Sequence, residues 1–557
     1  MHKSGGIVSN DGIIAIKNVI ASVDQTLCEI KPWKLIIATA AGVIFLQRVR
    51  RIWYASEQPI YLRLLGKAFS VICSLSPIRK KLEKELNYTR QKIYREIHKC
   101  DNTGLFFRML PESGMNNAKI VSIAEQYNAM TEVDVLAGKV SGAVYTDQNS
   151  EQSNLLSKMF DIYAFANPLH PDIFPGCRKM EAEIVHIVAN LFHGGLKCCG
   201  TVTSGGTESI LLAMLSYRNY AIIKGISEPE ILVPVTAHAA FDKAAHLFGM
   251  RIRHVPVGNN QKVDIDKMRR AISRDTCVLV GSVPNFPTGT MDDIEQIAQL
   301  GQRYDIPVHV DACLGGFLIV FMEECGYPLP PFDFRVSGVT SISCDTHKYG
   351  YAPKGSSVIL YRERKYLHHQ YMCIPEWTGG IYATPTFAGS RSGLAISLAW
   401  ATLLFFGRSG YVQRTKEIIQ CARRISSAIM NDIDGLRLLG SADVSVVAFT
   451  SDVFNVYALV DDMSALGWNL NSIQNPAGAH ICVTYNTVVA DAWQAFIDDL
   501  RKVAFALMND PDRGKHSNMA AIYGLAATIP DKQFISDLAH CYLDACYAAP
   551  LVKAPEC

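Results

Sequence analysis

"SISCDTHKYGYAPKGSSVILY", Ser341 to Tyr361, is the stretch on which the fold of this chain turns. Its ends, "SISC" and "SSVILY", are short apolar runs with β-branched residues, the pattern of buried strands. Between them Asp345, His347, Lys348 and Lys354 stand among glycines and a proline. A surface turn tolerates that mixture, whereas an active-site loop at a strand edge requires something like it. One use for such a lysine is covalent capture of an aldehyde cofactor, since a desolvated lysine amine sheds its proton more easily and becomes a nucleophile. That use needs partners elsewhere in the chain.

Upstream, "EILVPV", "RIRHVPV", "TCVLVGSV", "IPVHVDA" and "VTSISCD" repeat the same short apolar form. Helical patterns separate several of them. "KMEAEIVHIVANLF" places Met180, Ile184, Ile187, Val188 and Leu191 on one face, and "TESILLAMLSYRNYAIIKG" ends at Gly225. Buried strands alternating with helices predict an α/β domain with a mainly parallel central sheet and helices on both faces. From about Gly407 the pattern changes to a helix, "YVQRTKEIIQCARRISSAIM", then "DVSVVAFTS", "VYALVDDMSALGW" and "HICVTYN". That order predicts a smaller C-terminal α+β domain.

The 557 residues, 49% hydrophobic and 19% charged, suit a large globular chain. A net charge of +2 gives no support to nucleic-acid binding, which wants a strongly basic domain. The 16 cysteines are scattered without a CxxC pair and read as thiols of a reducing compartment, with the Cys198–Cys199 pair read as packing. Near the N-terminus, "LIIATAAGVIFL" (Leu35–Leu46) is uncharged, with Trp33 and Lys34 before it and Arg48, Arg50 and Arg51 after it. The apolar run falls short of the ~20 residues that span a bilayer, and flanking bases can lengthen it by reaching outward. A membrane anchor competes here with a buried helix. If it spans, the arginines place the bulk of the chain on the cytosolic side. "YLRLLGKAFSVICSL" (Tyr61–Leu75) then reads as an interfacial or linker helix.

Three further features join the opening stretch. In "TSGGTESI", Gly205, Gly206 and Thr207 sit where a helix begins, so its first N–H groups can hold a phosphate; an ordinary capped turn with Ser204 or Thr207 as cap is the alternative. Asp311 ends the strand "IPVHVDA", where it can pair with a protonated pyridine nitrogen or cap the next helix. His238 follows "EILVPV" and can stack on a flat ring or serve as a cap. Each feature alone is ordinary. Their order at the edges of predicted strands is not.

That order, together with "CDTHKYGYAPKGSSVILY", "PVHVDACLGGF", "GSVPNFPTGT", "NPLHPDIFPG", "SGAVY" and "GGIYATPTFAGSR", resembles fold type I pyridoxal-phosphate enzymes of the group II decarboxylase-like branch, and within it the sphingosine-1-phosphate lyase family. The resemblance runs from about Lys31 to Ala548. It departs from the amino-acid decarboxylases of the branch at "DTHK", where they typically carry Asn-Pro-His-Lys. The resemblance implies pyridoxal 5'-phosphate as cofactor, with Lys348 as covalent anchor, Asp311 at the ring nitrogen, His238 on the ring, Gly205, Gly206 and Thr207 at its phosphate, and His347 beside ring or phosphate. It implies retro-aldol cleavage of a phosphorylated sphingoid-base lipid to a long-chain aldehyde and phosphoethanolamine, with no metal. His170, Lys354, Tyr145 and Tyr382 are then the residues for substrate phosphate, hydroxyl and proton transfer, and Arg391 is left between anion binding and interface structure. It also implies a homodimer with shared sites, Tyr145 and the Gly379–Gly380 loop reaching across, and a single-pass endoplasmic-reticulum membrane protein with a cytosolic body. The expected divisions are a lumenal segment 1–31, an anchor 32–52, a linker with helices 53–117, a cofactor-binding domain 118–406 and a small domain 407–557.

Overall fold

A computed structural model describes residues 31–54, 76–101, 103–131, 133–510 and 532–549. The expected lumenal segment and the stretch Tyr61–Leu75 lie outside the described residues, Lys31 excepted.

Seven strands build the main sheet: β1 (Cys199–Thr203), β2 (Glu230–Pro234), β3 (Arg251–Val255), β4 (Thr276–Ser282), β5 (Val308–Asp311), β6 (Val339–Cys344) and β7 (Ser357–Tyr361). Their order is β1-β7-β6-β5-β4-β2-β3. The pairs from β3 to β6 are parallel, and β7 runs antiparallel to both β6 and β1. β1 therefore points the same way as β2, β4, β5 and β6. The expected mainly parallel sheet is present, with β7 as its one reversed strand.

Both faces of this sheet are covered, which is why its strands read as continuous apolar runs rather than alternating ones. On β4, Val278 and Val280 pack with Ile210, Met214 and Phe241 of one helical layer. Leu279 between them packs into the opposite layer with Ile184, Val188 and Ile297. The period of two along the strand thus sends alternate side chains into two cores.

A hairpin, β8 (Met372–Ile374) with β9 (Tyr382–Thr384), precedes the long helix Gly393–Asn431. This helix is broken at Gly407, which has φ 53° and ψ −179°. A left-handed φ suits glycine, and this is the position at which the sequence pattern changes. β10 (Arg437–Leu438), β11 (Val446–Thr450), β12 (Asn471–Ile473) and β13 (Gly478–Cys482) form a second, antiparallel sheet in the order β10-β11-β13-β12.

The N-terminal segment contains a helix, Pro32–Tyr54, of 23 residues. Trp33, Ile36, Ile37, Val43, Ile44 and Phe45 are exposed on it. Among the described residues only Gly393–Asn431 meets a length and hydropathy test for crossing a membrane. That helix buries Ile396, Leu403, Ile418, Ile425 and Ile429 in the protein core, so it is a core helix.

Candidate active site

Because β1, β2, β5 and β6 point the same way, the segments that follow them leave the sheet at one edge. Those segments carry Ser204–Thr207, His238, Asp311 and Asp345–Lys348, residues spread over more than a hundred positions of the sequence. Ligands of open α/β sheets bind along such an edge.

The loop between β6 and β7 is tightly built. Gly350 lies so close to the chain before it that a Cβ there would meet the Thr346 carbonyl oxygen at 2.3 Å. Tyr351 takes a left-handed φ of 59°. Lys348 Nζ lies 2.8 Å from Asp345 Oδ2, and the aspartate side chain is 1% exposed. Burial alone would lower the lysine pKa. The carboxylate, aided by Cys313 and Tyr145, outweighs it and holds Lys348 above the ordinary lysine range. His347 Nδ1 donates to the Ser356 carbonyl at 2.6 Å, and its Nε2 sits 3.8 Å from Asp345. Burial keeps His347 below the ordinary histidine range, against the pull of Asp345.

Next to this loop lies the glycine turn. The helix Gly206–Ile223 has Gly205 as its N-cap and no side-chain cap. Neither Ser204 nor Thr207 caps it, because the Ser204 hydroxyl and N–H are both held by Glu208 Oε2, at 2.7 and 2.6 Å. A Cβ on Gly206 would lie 2.8 Å from each Asp345 oxygen, and one on Gly205 would lie 3.6 Å from His347 Cε1. The turn and the lysine loop are therefore in direct contact. Below the turn, Thr203, Ser209 and Ser357 are joined hydroxyl to hydroxyl at 2.7 and 2.9 Å.

Asp311 is 7% exposed and does not cap the following helix, whose N-cap is Gly315. Its Oδ1 accepts from the Cys313 N–H at 3.1 Å and from the Ser343 hydroxyl at 3.4 Å. In register, Asp311 stands between Ser282 of β4 and Ser343 of β6. His238 has an exposed ring whose Nδ1 accepts from the Ala240 N–H at 3.0 Å. It thus makes the cap-like bond and keeps its ring open.

This edge fits pyridoxal phosphate. The uncapped helix start, pressed by glycine against the lysine loop, is a place for a phosphate. Asp345 Oδ1, Thr236 Oγ1 and Ser282 Oγ are buried along it without hydrogen-bond partners, as expected where a polar ligand completes a site. A cavity of about 270 Å³ opens beside the turn, lined by Thr203, Ser204, Glu208, Gly355, Phe387 and Arg391. A wider cavity of about 760 Å³ lies against Arg178, Lys197 and Arg364 and holds none of the expected site residues.

Of the expected substrate residues, the structure brings two to this cluster. Lys354 Nζ sits 4.9 Å from the centre of the Tyr145 ring, which meets Tyr349 edge-on at 4.8 Å. Burial raises the Tyr145 phenol above its ordinary range. Burial, with the charge of Lys348, pushes Lys354 below the ordinary lysine range. Tyr145 thus packs among residues of its own chain. Among the described residues no hydrogen bond or ring contact joins His170 or Tyr382 to the Lys348 cluster. Tyr382 lies edge-on to Trp377, with its hydroxyl over Gly389. Arg391 forms a two-pronged ion pair with Glu181 and lines the smaller cavity. Asp345 is the residue that sequence reasoning left without a part; its signal was an acid three positions before the lysine in one loop.

The pyridoxal-dependent decarboxylase conserved domain matches residues 116–451. The chain is 44% identical to sphingosine-1-phosphate lyase 1 of Rattus norvegicus over 519 residues, covering 93% of this chain and 90% of that protein. It is 42% identical to sphingosine-1-phosphate lyase of Drosophila melanogaster over 548 residues, covering 97% and 99%. Among solved structures, the sphingosine-1-phosphate lyase of Burkholderia pseudomallei superposes with a TM-score of 0.71 at 36% identity, over 77% of this chain and 98% of that one. Glutamate decarboxylase of Lactobacillus brevis, at 20% identity and a TM-score of 0.64, shares the fold. With its lysine loop, glycine turn and strand-end aspartate at one sheet edge, the chain belongs to the sphingosine-1-phosphate lyase family of pyridoxal-phosphate enzymes.

Proposed function

We infer that this chain cleaves the C2–C3 bond of a phosphorylated sphingoid base such as sphingosine 1-phosphate, releasing a long-chain aldehyde and phosphoethanolamine. The observation that carries this reading is the Lys348–Asp345 pair set directly against the glycine turn. Bound pyridoxal phosphate supplies an aldehyde carbon for an amine and a ring that withdraws electrons from the bond to be broken. Asp311, buried and held by two donors, is fixed where it can pair with the ring nitrogen. The first turn of Gly206–Ile223 offers free N–H groups to the phosphate. Cleavage needs one proton to leave the C3 hydroxyl and one to arrive at C2. Lys348 Nζ, once the substrate amine replaces it, can take and return a proton, with Asp345 steadying its charged form. The Tyr145 phenol, kept protonated by burial, serves as a donor rather than a base. Lys354 is a cation for the substrate phosphate.

The test is product analysis. Purified chain with pyridoxal phosphate and sphingosine 1-phosphate should yield aldehyde and phosphoethanolamine in equal amounts. Release of CO₂ from an amino acid, with no aldehyde, would instead make it a decarboxylase on the same scaffold.

The working unit is a homodimer. Support comes from the two segments that carry His170 and Tyr382, which expose Phe165 at 96% and Ile381 at 82%, along with Ile173, Trp377 and Phe387. Such patches call for a cover, and a second copy would bring His170 and Tyr382 to the partner's site. Co-expressing Lys348→Ala with Tyr382→Phe should restore about a quarter of normal activity through mixed dimers. Two inactive variants that stay inactive together would place Tyr382 in its own chain's site.

The chain is anchored to the endoplasmic-reticulum membrane with its catalytic body in the cytosol. The exposed apolar face of Pro32–Tyr54 supports this; its uncharged run is shorter than the ~20 residues of a full span, and flanking bases reaching outward would make up the difference. The full chain should resist carbonate extraction, and a chain starting near Asn87 should be soluble and active. Extraction of the full chain, or protection of its body inside sealed vesicles, would overturn this topology.

A further inference from the structure

Behind Asp311 runs a chain of buried hydroxyls and one imidazole. On β5 and β6 the register sets His309 opposite Ser341 and Asp311 opposite Ser343, so the four side chains share one face of the sheet. Tyr217, from the helix Gly206–Ile223, donates its hydroxyl to Ser341 Oγ at 2.6 Å. Ser341 Oγ lies 2.7 Å from His309 Nδ1. His309 Nε2 lies 3.2 Å from Ser343 Oγ, and Ser343 Oγ lies 3.4 Å from Asp311 Oδ1. Tyr217, Ser341, His309 and Ser343 have no solvent exposure. The Phe241 ring closes the site edge-on at 5.9 Å from the His309 ring.

The direction of every bond follows from what each group can give. A carboxylate only accepts, so Ser343 spends its one hydrogen on Asp311. Its oxygen must then accept from His309, which puts the imidazole hydrogen on Nε2. Nδ1 is left as an acceptor and takes the Ser341 hydrogen, and Ser341 in turn accepts from Tyr217. All the donors point toward Asp311. Burial pushes His309 down to about 4, against the pull of Asp311, so the ring is neutral and holds a single hydrogen at working pH. Asp311, on its own strand, is the charged group whose field reaches it.

We propose that His309 is a positioning residue for the reaction: through Ser343 it keeps a donor on Asp311 and so holds that carboxylate fixed for the cofactor's ring nitrogen. The arrangement rests on the cofactor reading above. It assigns a part to the buried histidine two places before Asp311, which packing alone would fill with an aliphatic residue.

The test uses the full chain, freed of cofactor and titrated with pyridoxal phosphate, following the visible absorbance of the bound form. Ser343→Ala should weaken binding about tenfold, the worth of one hydrogen bond to a charged group. It should also move the pH at which the absorbance titrates. Ser343→Thr, which keeps the hydroxyl, should restore both. The same Ser343→Ala change made on an Asp311→Asn background should add nothing, because the group it serves is already neutral. His309→Phe, which keeps a buried ring without nitrogens, should behave as Ser343→Ala does and stands in if that variant does not fold. Unchanged affinity and titration in Ser343→Ala, or the same loss on the Asp311→Asn background, would overturn the proposal. Failure of the unaltered chain to bind pyridoxal phosphate would overturn the cofactor reading instead.

Discussion

Lys348 and Asp345 hold each other in a place where neither is stable alone. The aspartate side chain is 1% exposed and its second oxygen has no partner. Lys348→Ala should abolish turnover and the absorbance of bound cofactor. It should also strand a buried carboxylate, at a cost on the order of 3 kcal/mol. The cofactor-free variant should therefore melt below the unaltered protein, and Lys348→Ala combined with Asp345→Asn should recover most of that loss. A second outcome concerns Lys354. Its pKa is lowered by burial and by Lys348, so on raising the pH it loses its charge before an ordinary lysine at 10.5 would. The kcat/KM for a phosphorylated substrate should fall on an alkaline limb centred below 10.5. Lys354→Arg should flatten that limb, because a guanidinium does not titrate there.

The elements at the sheet edge explain both what sequence shows and what it hides. Strands β2, β4 and β5 are buried along their whole length, so their apolar runs were plain in the sequence. Lys348, Asp311 and His238 were legible because each follows such a run. The reversed direction of β7 was not, since a strand buried on both faces carries no mark of its orientation. Nor was Asp345, whose meaning depends on the glycine turn 140 or so positions earlier meeting it in space. The alternative of a cap from Ser204 or Thr207 is set aside by a contact of the same kind: Glu208 takes the serine, leaving the helix start bare. Gly206→Ala tests that contact. Its Cβ would press on both Asp345 oxygens at 2.8 Å and on Cys313 Sγ at 3.0 Å. Overpacking of this kind costs about 1–3 kcal/mol, so pyridoxal-phosphate affinity should fall roughly tenfold or more. Equilibrium titration of the cofactor-free variant would show it.

Across the whole molecule, two buried histidines tie stability to acid. Burial pushes both His309 and His480 down to about 4. Their folded pKa values lie below the unfolded one, so the unfolded chain binds the extra protons. The stability they contribute is complete above about pH 6.5 and is lost as pH falls from there toward 4. Between pH 7 and pH 5 each should cost about 2 kcal/mol. Denaturant midpoints at those two pH values should show the drop, and His480→Asn should remove about half of the part due to this pair.

The strand order has a further consequence, for the life of the chain during synthesis. β1, which leads into the glycine turn, finds its only sheet neighbour among the described residues in β7, and the register pairs Cys199 with Tyr361 and Thr203 with Ser357. A nascent chain therefore cannot seat β1 until Tyr361 has left the ribosome. Until then the turn has no lysine loop to rest on. The apolar N-terminal helix emerges some three hundred residues earlier in that order, so it is free of the ribosome long before the catalytic edge can close. Cofactor capture is consequently a late event, open only to a chain whose cofactor-binding sheet is fully synthesised.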